Sequence, residues 1–518
     1  MSAMNLADEP QPAAHPWRFH VDTGGTFTDC LAHDPQGRTH RLKVLSSSSL
    51  RAIVLGQPAP DRLRLTLGLD LTRDVLRGLS VQPLGCAGSS GRILSFDPIA
   101  QEALLDAPLP AGLERVAIQS PEPAPLLCAR LATQAALAEE LPPLVMRLAT
   151  TRGTNALLER RGAACALVTT RGFADVLAIG DQARPDLFAQ HITRAAPLPG
   201  WVHELDERLD AAGSVLRALD PLELERLAET LRRDGVESVA VALVNAYANP
   251  EHEQAVAQAL QQAGIAHVAV SSALSSRLNL FRRAQTAAVD AYLGPIVRAY
   301  VDEVAKPLTA SKLHLMTSAG GLVAADAYLA KDSLLSGPAG GVVGAAAAGR
   351  ASGHDRLIGF DMGGTSTDVS RYDQGFAYDY ELEIGGARIQ APTLAIETVA
   401  AGGGSICSFK DGAYKVGPES AGAEPGPACY GLGGPLSITD VNLLLGRLVP
   451  DRFGIPVQVE AAEERCRELL EQAHAGDTTA EADREATLAG LLDIANQRMA
   501  EAIRRISVRE GYDPAEYA

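Results

Sequence analysis

The chain has 518 residues, 46% of them hydrophobic and 21% charged, which supplies a sizeable core and is too long for one ordinary domain. Its 63 Asp and Glu against 46 Lys and Arg give a formal charge of −17, which repels phosphate backbones and excludes a generic nucleic-acid binder. Nucleotides are not excluded, because backbone N–H groups and a divalent cation hold phosphate without lysine.

Seven cysteines with no C-x-x-C pair speak against a disulfide framework. Eleven histidines without an H-x-H or H-E-x-x-H cluster give a zinc enzyme little support. No apolar run approaches the ~20 residues that span a bilayer, and the first residues have neither a basic nor an apolar leader pattern. Residues 1–17 are expected to form a flexible tail on a cytoplasmic protein with no membrane partner.

From Trp17 onward the pattern is ordered. Phe19–Asp22 reads as a strand, Gly24-Gly25 as a tight turn and Phe27–Leu31 as the returning strand. The stretch 46–147 mixes short apolar runs with Pro and Gly clusters, the pattern of a small inserted subdomain or of loops. Thr154 reads as the cap of a short helix through Arg161 that Gly162 stops. Ala164–Thr169 is then a strand, Leu222–Arg233 a helix, Val236–Val244 a β-branched run, Glu251–Ala263 a helix and Ala266–Val270 a strand. That alternation predicts parallel sheet covered by helices. Arg282–Lys306 is a long amphipathic stretch in which Pro295 is expected to kink or break the helix. Leu313–Thr317 reads as a strand and Ser336–Arg350 as a Gly-rich helix.

An internal repeat stands out. Asp22-Thr-Gly-Gly-Thr-Phe-Thr-Asp29 recurs as Asp361-Met-Gly-Gly-Thr-Ser-Thr-Asp368, with six of eight residues identical and an apolar strand before each copy. In each, the glycine pair (Gly24-Gly25, Gly363-Gly364) lets a turn present successive N–H groups to an anion. The threonines Thr26, Thr28, Thr365 and Thr367 offer hydroxyls to phosphate oxygens. Asp22 and Asp361 offer hard oxygen ligands to Mg²⁺. The alternative is a pair of purely structural β-hairpins. No Walker A or G-x-G-x-x-G pattern is present, so P-loop and dinucleotide-binding readings are disfavoured.

Four further segments have two readings each, and Asp440 has one. Arg152 and Asn155 at a helix start can bind a substrate carboxylate or phosphate, or merely cap. Arg184 and Asp186 can meet substrate or fix a loop by an ion pair. Gly402, Gly403 and Gly404 can let backbone approach a ligand, or form a bare turn. Cys429, with no histidine near in sequence, reads as a buried structural thiol rather than a nucleophile. Asp440 reads as a helix N-cap.

The segments VDTGGTFTD, TTRGTNALLERRG, LVTTRGFADVLAIGDQARPDLF, SGPAGGVVGA, IGFDMGGTSTDVSRY, VAAGGGS and GPESAGAEPGPACYGLGGPLSITDVNLLLGRL resemble the hydantoinase A/5-oxoprolinase family, above all its A-type half. That family lies within the acetate and sugar kinase, heat-shock chaperone and actin superfamily. The likeness runs from about Phe19 to the last residue, leaving out 46–147. It implies an α/β, actin-like two-lobed fold with duplicated RNase H-like domains and a small inserted subdomain. An N-terminal family domain is expected over 18–205, with the second family domain over 220–518.

The resemblance also implies an activity. ATP, with Mg²⁺ or Mn²⁺, serves the hydrolysis of a cyclic amide, 5-oxo-L-proline to L-glutamate, a step of glutathione metabolism. Phosphorylating the lactam oxygen makes it a leaving group, and the protein's task is in-line positioning and charge neutralisation. Asp22, Gly24, Gly25, Thr26, Asp361, Gly363, Gly364 and Thr365 map onto the family's phosphate hairpins. A B-type half or subunit is the implied partner, and an oligomer is expected. Two other readings stand beside this one. One is a hydantoinase or acetone-carboxylase-like subunit using the same ATP chemistry. The other is an inactive structural half of an assembly.

Two departures from the family pattern bear on these expectations. The stretch before TTRGTNALL is several tens of residues longer than the family pattern calls for. The chain also reaches Ala518 before the F-G-G-A-G-P-like segment that supplies the adenosine site, so it reads as truncated at that end.

Overall fold

The computed structural model describes residues 16–84, 90–182, 188, 190–191, 195–422, 424–450, 453, 457–473 and 484–518. The chain forms two compact units, residues 1–337 with 380–393, and residues 338–379 with 394–518. Both mix α and β structure.

The first unit is organised by strand β1 (Trp17–Thr23), an apolar stretch that buries Phe19 and Val21. It turns back into β2 (Phe27–His33), and β3 (Thr39–Leu45) extends the antiparallel meander. On the other side of β1, β10 (Leu144–Thr150) and then the strand Lys312–Met316 pair in parallel. Parallel neighbours need crossover connections, and the long excursions between these strands supply them.

The first excursion is the unexpected part. Strands β4 (Ser49–Ala59), β5 (Arg62–Thr66), β6 (Ser80–Pro83), β7 (Gly91–Asp97), β8 (Glu102–Leu105) and β9 (Arg115–Gln119) pair in the order β4-β5-β8-β7-β6-β9. Strand β9 then pairs back onto β4, so the six strands close into a barrel. Alternation fills it: Leu63 and Leu65 of β5 point inward and are fully buried, while Arg62 and Arg64 between them face solvent. Val81, Ile93, Phe96, Ala103, Leu105, Val116 and Ile118 complete the interior. The subdomain expected over 46–147 is therefore this barrel over 49–119, while helix α1 (Ala124–Thr133) and β10 belong to the main sheet's own packing.

The predicted alternation beyond β10 is a four-stranded sheet of Trp201–Leu205, Cys165–Thr170, Ser238–Ala242 and His267–Val270, all parallel. Its two central strands are buried along their whole length, as expected of strands covered on both faces. The long helix runs unbroken over Leu280–Ala305 with Pro295 inside it. Burial of thirteen of its side chains, among them Val289, Leu293 and Val297, outweighs the backbone hydrogen bond that proline removes.

In the second unit the strands Arg356–Met362, Thr367–Asp373 and Ile396–Val399 form an antiparallel three-stranded sheet. The helix Arg484–Ile506 packs on it, with Leu488, Leu491, Leu492, Ala495 and Met499 in the core. Beside the free edge of Arg356–Met362 lies Ala518, whose N–H donates to Arg356 O while the Ile358 N–H donates to Ala518 O. That is the bonding pattern of a parallel neighbour.

Candidate phosphate hairpins and the adjoining pocket

The two copies of the repeat fold alike. In the first, Asp22 pairs with Asp29 and Thr23 with Thr28 across the ladder, and Gly24 N–H closes the turn on Phe27 O at 3.0 Å. In the second, Asp361 pairs with Asp368 and Met362 with Thr367, and Gly363 N–H donates to Ser366 O at 2.9 Å. Gly25, Thr26, Gly364 and Thr365 are exposed at the tips, and among the described residues their N–H groups donate no hydrogen bond. Each tip therefore presents two adjacent unspent donors, the arrangement that suits a phosphate oxygen.

The turn carbonyls are held away from the tips in both copies, by different means. In the first, Ser46 Oγ donates to Gly24 O at 2.8 Å and Ser46 N–H to Thr26 O at 2.9 Å. In the second, Gly403 N–H donates to Gly363 O at 3.1 Å and Gly404 N–H to Gly364 O at 2.6 Å. A Cβ on Gly402 would lie 2.7 Å from Gly363 O and 2.8 Å from Gly364 O. The glycine run thus permits close approach to the hairpin itself.

Thr28 and Thr367 do not reach the tips. Both are fully buried beneath the turns; Thr367 Oγ1 donates to Ala401 O at 2.6 Å and Thr28 Oγ1 bonds with Ser46 Oγ at 3.1 Å. Their expected contact with phosphate gives way to bracing from below, because the strand alternation that exposes Asp29 turns Thr28 inward. Thr26 and Thr365 keep exposed positions.

Asp22 and Asp361 are both exposed at the ends of their strands. A Cβ on Gly337 would come 3.4 Å from Asp22 Oδ1, so backbone passes close to that carboxylate. The cross-strand partners differ: Asp29 is bridged by Lys43 Nζ at 2.9 Å, whereas Asp368 accepts from Thr398 Oγ1 at 2.6 Å. Burial pushes the Asp368 carboxyl above its ordinary range, and the charge of Asp361 adds to this. Among the described residues no three or more His, Cys, Asp or Glu side chains gather to hold a metal ion. One or two carboxylates beside phosphate-ready amides fit a Mg²⁺ ion that arrives with a nucleotide and keeps several waters.

A pocket of about 530 Å³ adjoins the first hairpin. Gly24 and Gly25 form one wall, and Arg152 and Asn155 of helix α2 (Arg152–Leu158) another. This helix begins two residues before the expected cap: Thr154 lies inside it and accepts from Leu335 N–H at 3.2 Å. Gly162 is not its stop, since a Cβ there would lie 2.1 Å from the Tyr292 ring, and close packing requires the glycine. The third wall is the base of the barrel, Ser46–Ser48 with Gln119 and Ser120, and Tyr300 of the long helix also lines the pocket. The Arg152 guanidinium sits 5.3 Å from the Tyr300 ring centroid. Ser46 and Tyr300 carried no local signal in the sequence; their relevance comes from tertiary packing.

Arg184 and Asp186 lie outside the described residues. Cys429 is fully buried, with its thiol pushed up to about 12 by burial and by Asp440, so it is no nucleophile. The cap of helix Ile438–Leu444 is Ser437, and Asp440 is its capping-box partner.

Comparison with known proteins gives a consistent answer. The family model described as Hydantoinase/oxoprolinase matches residues 283–518, and its N-terminal region model matches residues 129–264. The chain is 38% identical over 407 residues to 5-oxoprolinase of Saccharomyces cerevisiae, covering 71% of this chain and 32% of that protein. It is 39% identical over 410 residues to 5-oxoprolinase 1 of Arabidopsis thaliana, covering 72% and 32%. The chain thus spans about a third of the length of these relatives. Among solved structures, the ATP-dependent caprolactamase from Pseudomonas jessenii superposes with a TM-score of 0.68 at 25% identity, covering 96% of this chain and 64% of that one. With both family models in place along one chain and hairpins at its repeated motif, the protein belongs to the hydantoinase/oxoprolinase family.

Proposed function

We propose that the chain is the ATP-using portion of an enzyme that hydrolyses a cyclic amide, with 5-oxo-L-proline as substrate and L-glutamate as product. The observation that carries this is the pair of hairpins of one geometry, each with two unspent N–H donors at its tip and a carboxylate at its root. The relatives named 5-oxoprolinase support the substrate, and the likeness to a caprolactamase supports the lactam class. ATP supplies the activation by phosphorylating the lactam oxygen.

The residues divide the remaining work. In each hairpin the tip amides, Gly25 and Thr26 or Gly364 and Thr365, offer donors to phosphate oxygens, and the root carboxylate, Asp22 or Asp361, offers a ligand to Mg²⁺ or Mn²⁺. Gly402, Gly403 and Gly404 keep the second tip in shape. The proposal includes a duplicated RNase H-like, actin-like plan. Its support is the strand order β3-β2-β1-β10 followed by Lys312–Met316, antiparallel then parallel. The second sheet repeats the antiparallel part, and Ala518 bonds in the parallel pattern on the matching edge. A B-type half or subunit completes ring opening, consistent with the third of the relatives' length that this chain spans.

The test is phosphate release from ATP and Mg²⁺ with 5-oxoproline, measured for the chain alone and with a B-type partner. Release that depends on 5-oxoproline in the complete assembly is expected. Its absence there, or a preference for hydantoins or ketones in a substrate panel, overturns the reading.

A further inference from the structure

The pocket beside the first hairpin holds a cation that the fold does not use. Among the described residues Arg152 makes no ion pair, although acidic groups lie close by. Glu122, on the same pocket wall, is taken by Arg130, and Glu303 is exposed at the rim, where water screens it. The guanidinium is instead parked over the Tyr300 ring.

The Tyr300 hydroxyl beneath it lies within reach of the Thr23 and Thr150 hydroxyls, though neither it nor Thr23 Oγ1 makes a hydrogen bond of full geometry among the described residues. Tyr300 is only 5% exposed. A buried hydroxyl left without such a bond costs free energy unless a ligand engages it. The serines of the barrel wall, by contrast, are occupied: Ser46 Oγ by Gly24 O and Ser48 Oγ by Glu122 O at 2.5 Å. They shape the pocket rather than bind in it. About 530 Å³ suits a metabolite-sized ligand, not a nucleotide and substrate together.

We propose that this pocket takes a small cyclic amide bearing a carboxylate. The carboxylate lies on the Arg152 fork, the ring against Tyr300, and the amide oxygen toward the Gly24–Gly25 turn. A planar fork beside an aromatic face recognises a planar carboxylate bidentately, while the tip of the first hairpin next door takes the phosphate. The barrel base then limits what the ring can carry. The inference rests on the lactam reading above and adds which residues select the acid.

The test is calorimetric binding to the full chain, with Mg²⁺ and a non-hydrolysable ATP analogue, of 5-oxoproline and of 2-pyrrolidinone, the same ring without the carboxylate. The wild type is expected to prefer 5-oxoproline by about 10- to 100-fold, the range of a charge-assisted hydrogen-bonded pair. Arg152→Ala, an exposed position that leaves the core intact, is expected to abolish the preference and leave 2-pyrrolidinone binding unchanged. Arg152→Lys is expected to restore part of it. A preference that survives Arg152→Ala, or no binding of either lactam, overturns the assignment. The two readings fail separately. A preference that survives Arg152→Ala alongside lactam-dependent turnover removes only the pocket. Arg152-dependent binding without turnover in the complete assembly removes only the activity.

Discussion

Asp440 accepts four hydrogen bonds with no access to water, from the N–H groups of Ala428, Cys429 and Ser437 and from Ser437 Oγ, at 2.8 to 3.1 Å. Two of them hold Ala428 and Cys429 in the middle of the Gly- and Pro-rich segment 424–437, and two hold Ser437 at its end. An amide in its place would turn one of its two acceptors into a donor facing backbone N–H groups. Asp440→Asn is therefore expected to cost the second unit about 2 to 4 kcal/mol, the penalty of a buried donor left without a partner. Urea denaturation measures it. Because burial holds the Cys429 thiol up at about 12, the same variant is expected to make Cys429 react faster with a thiol reagent as the loop loosens. A variant with wild-type midpoint and wild-type Cys429 reactivity would show that the loop is held by other contacts.

The hairpin and the glycine strap that braces it are the elements on which phosphate binding depends, and glycine has a different purpose in each. At Gly364 an added Cβ meets nothing within 4 Å, so Gly364→Ala is expected to leave the melting temperature within a degree or two of wild type, as for other strain-free surface changes. It narrows the approach to the tip amides, and weaker ATP binding by calorimetry is expected. At Gly402 the same methyl strikes two carbonyl oxygens of the hairpin, so Gly402→Ala is expected to lower stability by about 1 to 3 kcal/mol and ATP affinity with it. Equal melting temperatures for the two variants would refute the bracing role.

These positions also show what the sequence made legible. The hairpins were readable because glycine pairs between apolar strands restrict the local conformations to a few. The roles of Gly402–Gly404, and the inward turn of Thr28 and Thr367, were not. Close approach by a distant segment leaves no local pattern, and only the hydrogen-bond register assigns a strand residue to a face.

For the whole molecule the open question is what the barrel contributes, since the matched family segments begin at residue 129, after it. Its strands are short and interrupted by Pro and Gly, which hid the closed architecture in the sequence; alternation over four or five residues specifies a strand but not its partners. The chain enters and leaves it at one place: Ser49 pairs with Gln119, and Ser120 N–H donates to Ser48 O at 2.9 Å. The barrel's buried side chains share one hydrophobic cluster with those of β1, β10 and α1, so excising residues 51–117 and joining Leu50 to Ile118 through a turn of about two residues tests whether that core stands without them. The shortened protein is expected to unfold cooperatively and to bind Mg²⁺-ATP as the full chain does, because β1, β2, β10 and both hairpins keep their partners. Its preference among lactams is expected to change, because the Ser46–Ser48 wall loses the rigid base that positions it beside Arg152 and Tyr300. Calorimetric unfolding and the two-lactam binding comparison decide the matter together. Loss of cooperative unfolding would make the barrel part of the unit's core, and an unchanged lactam preference in a stable variant would remove it from substrate selection.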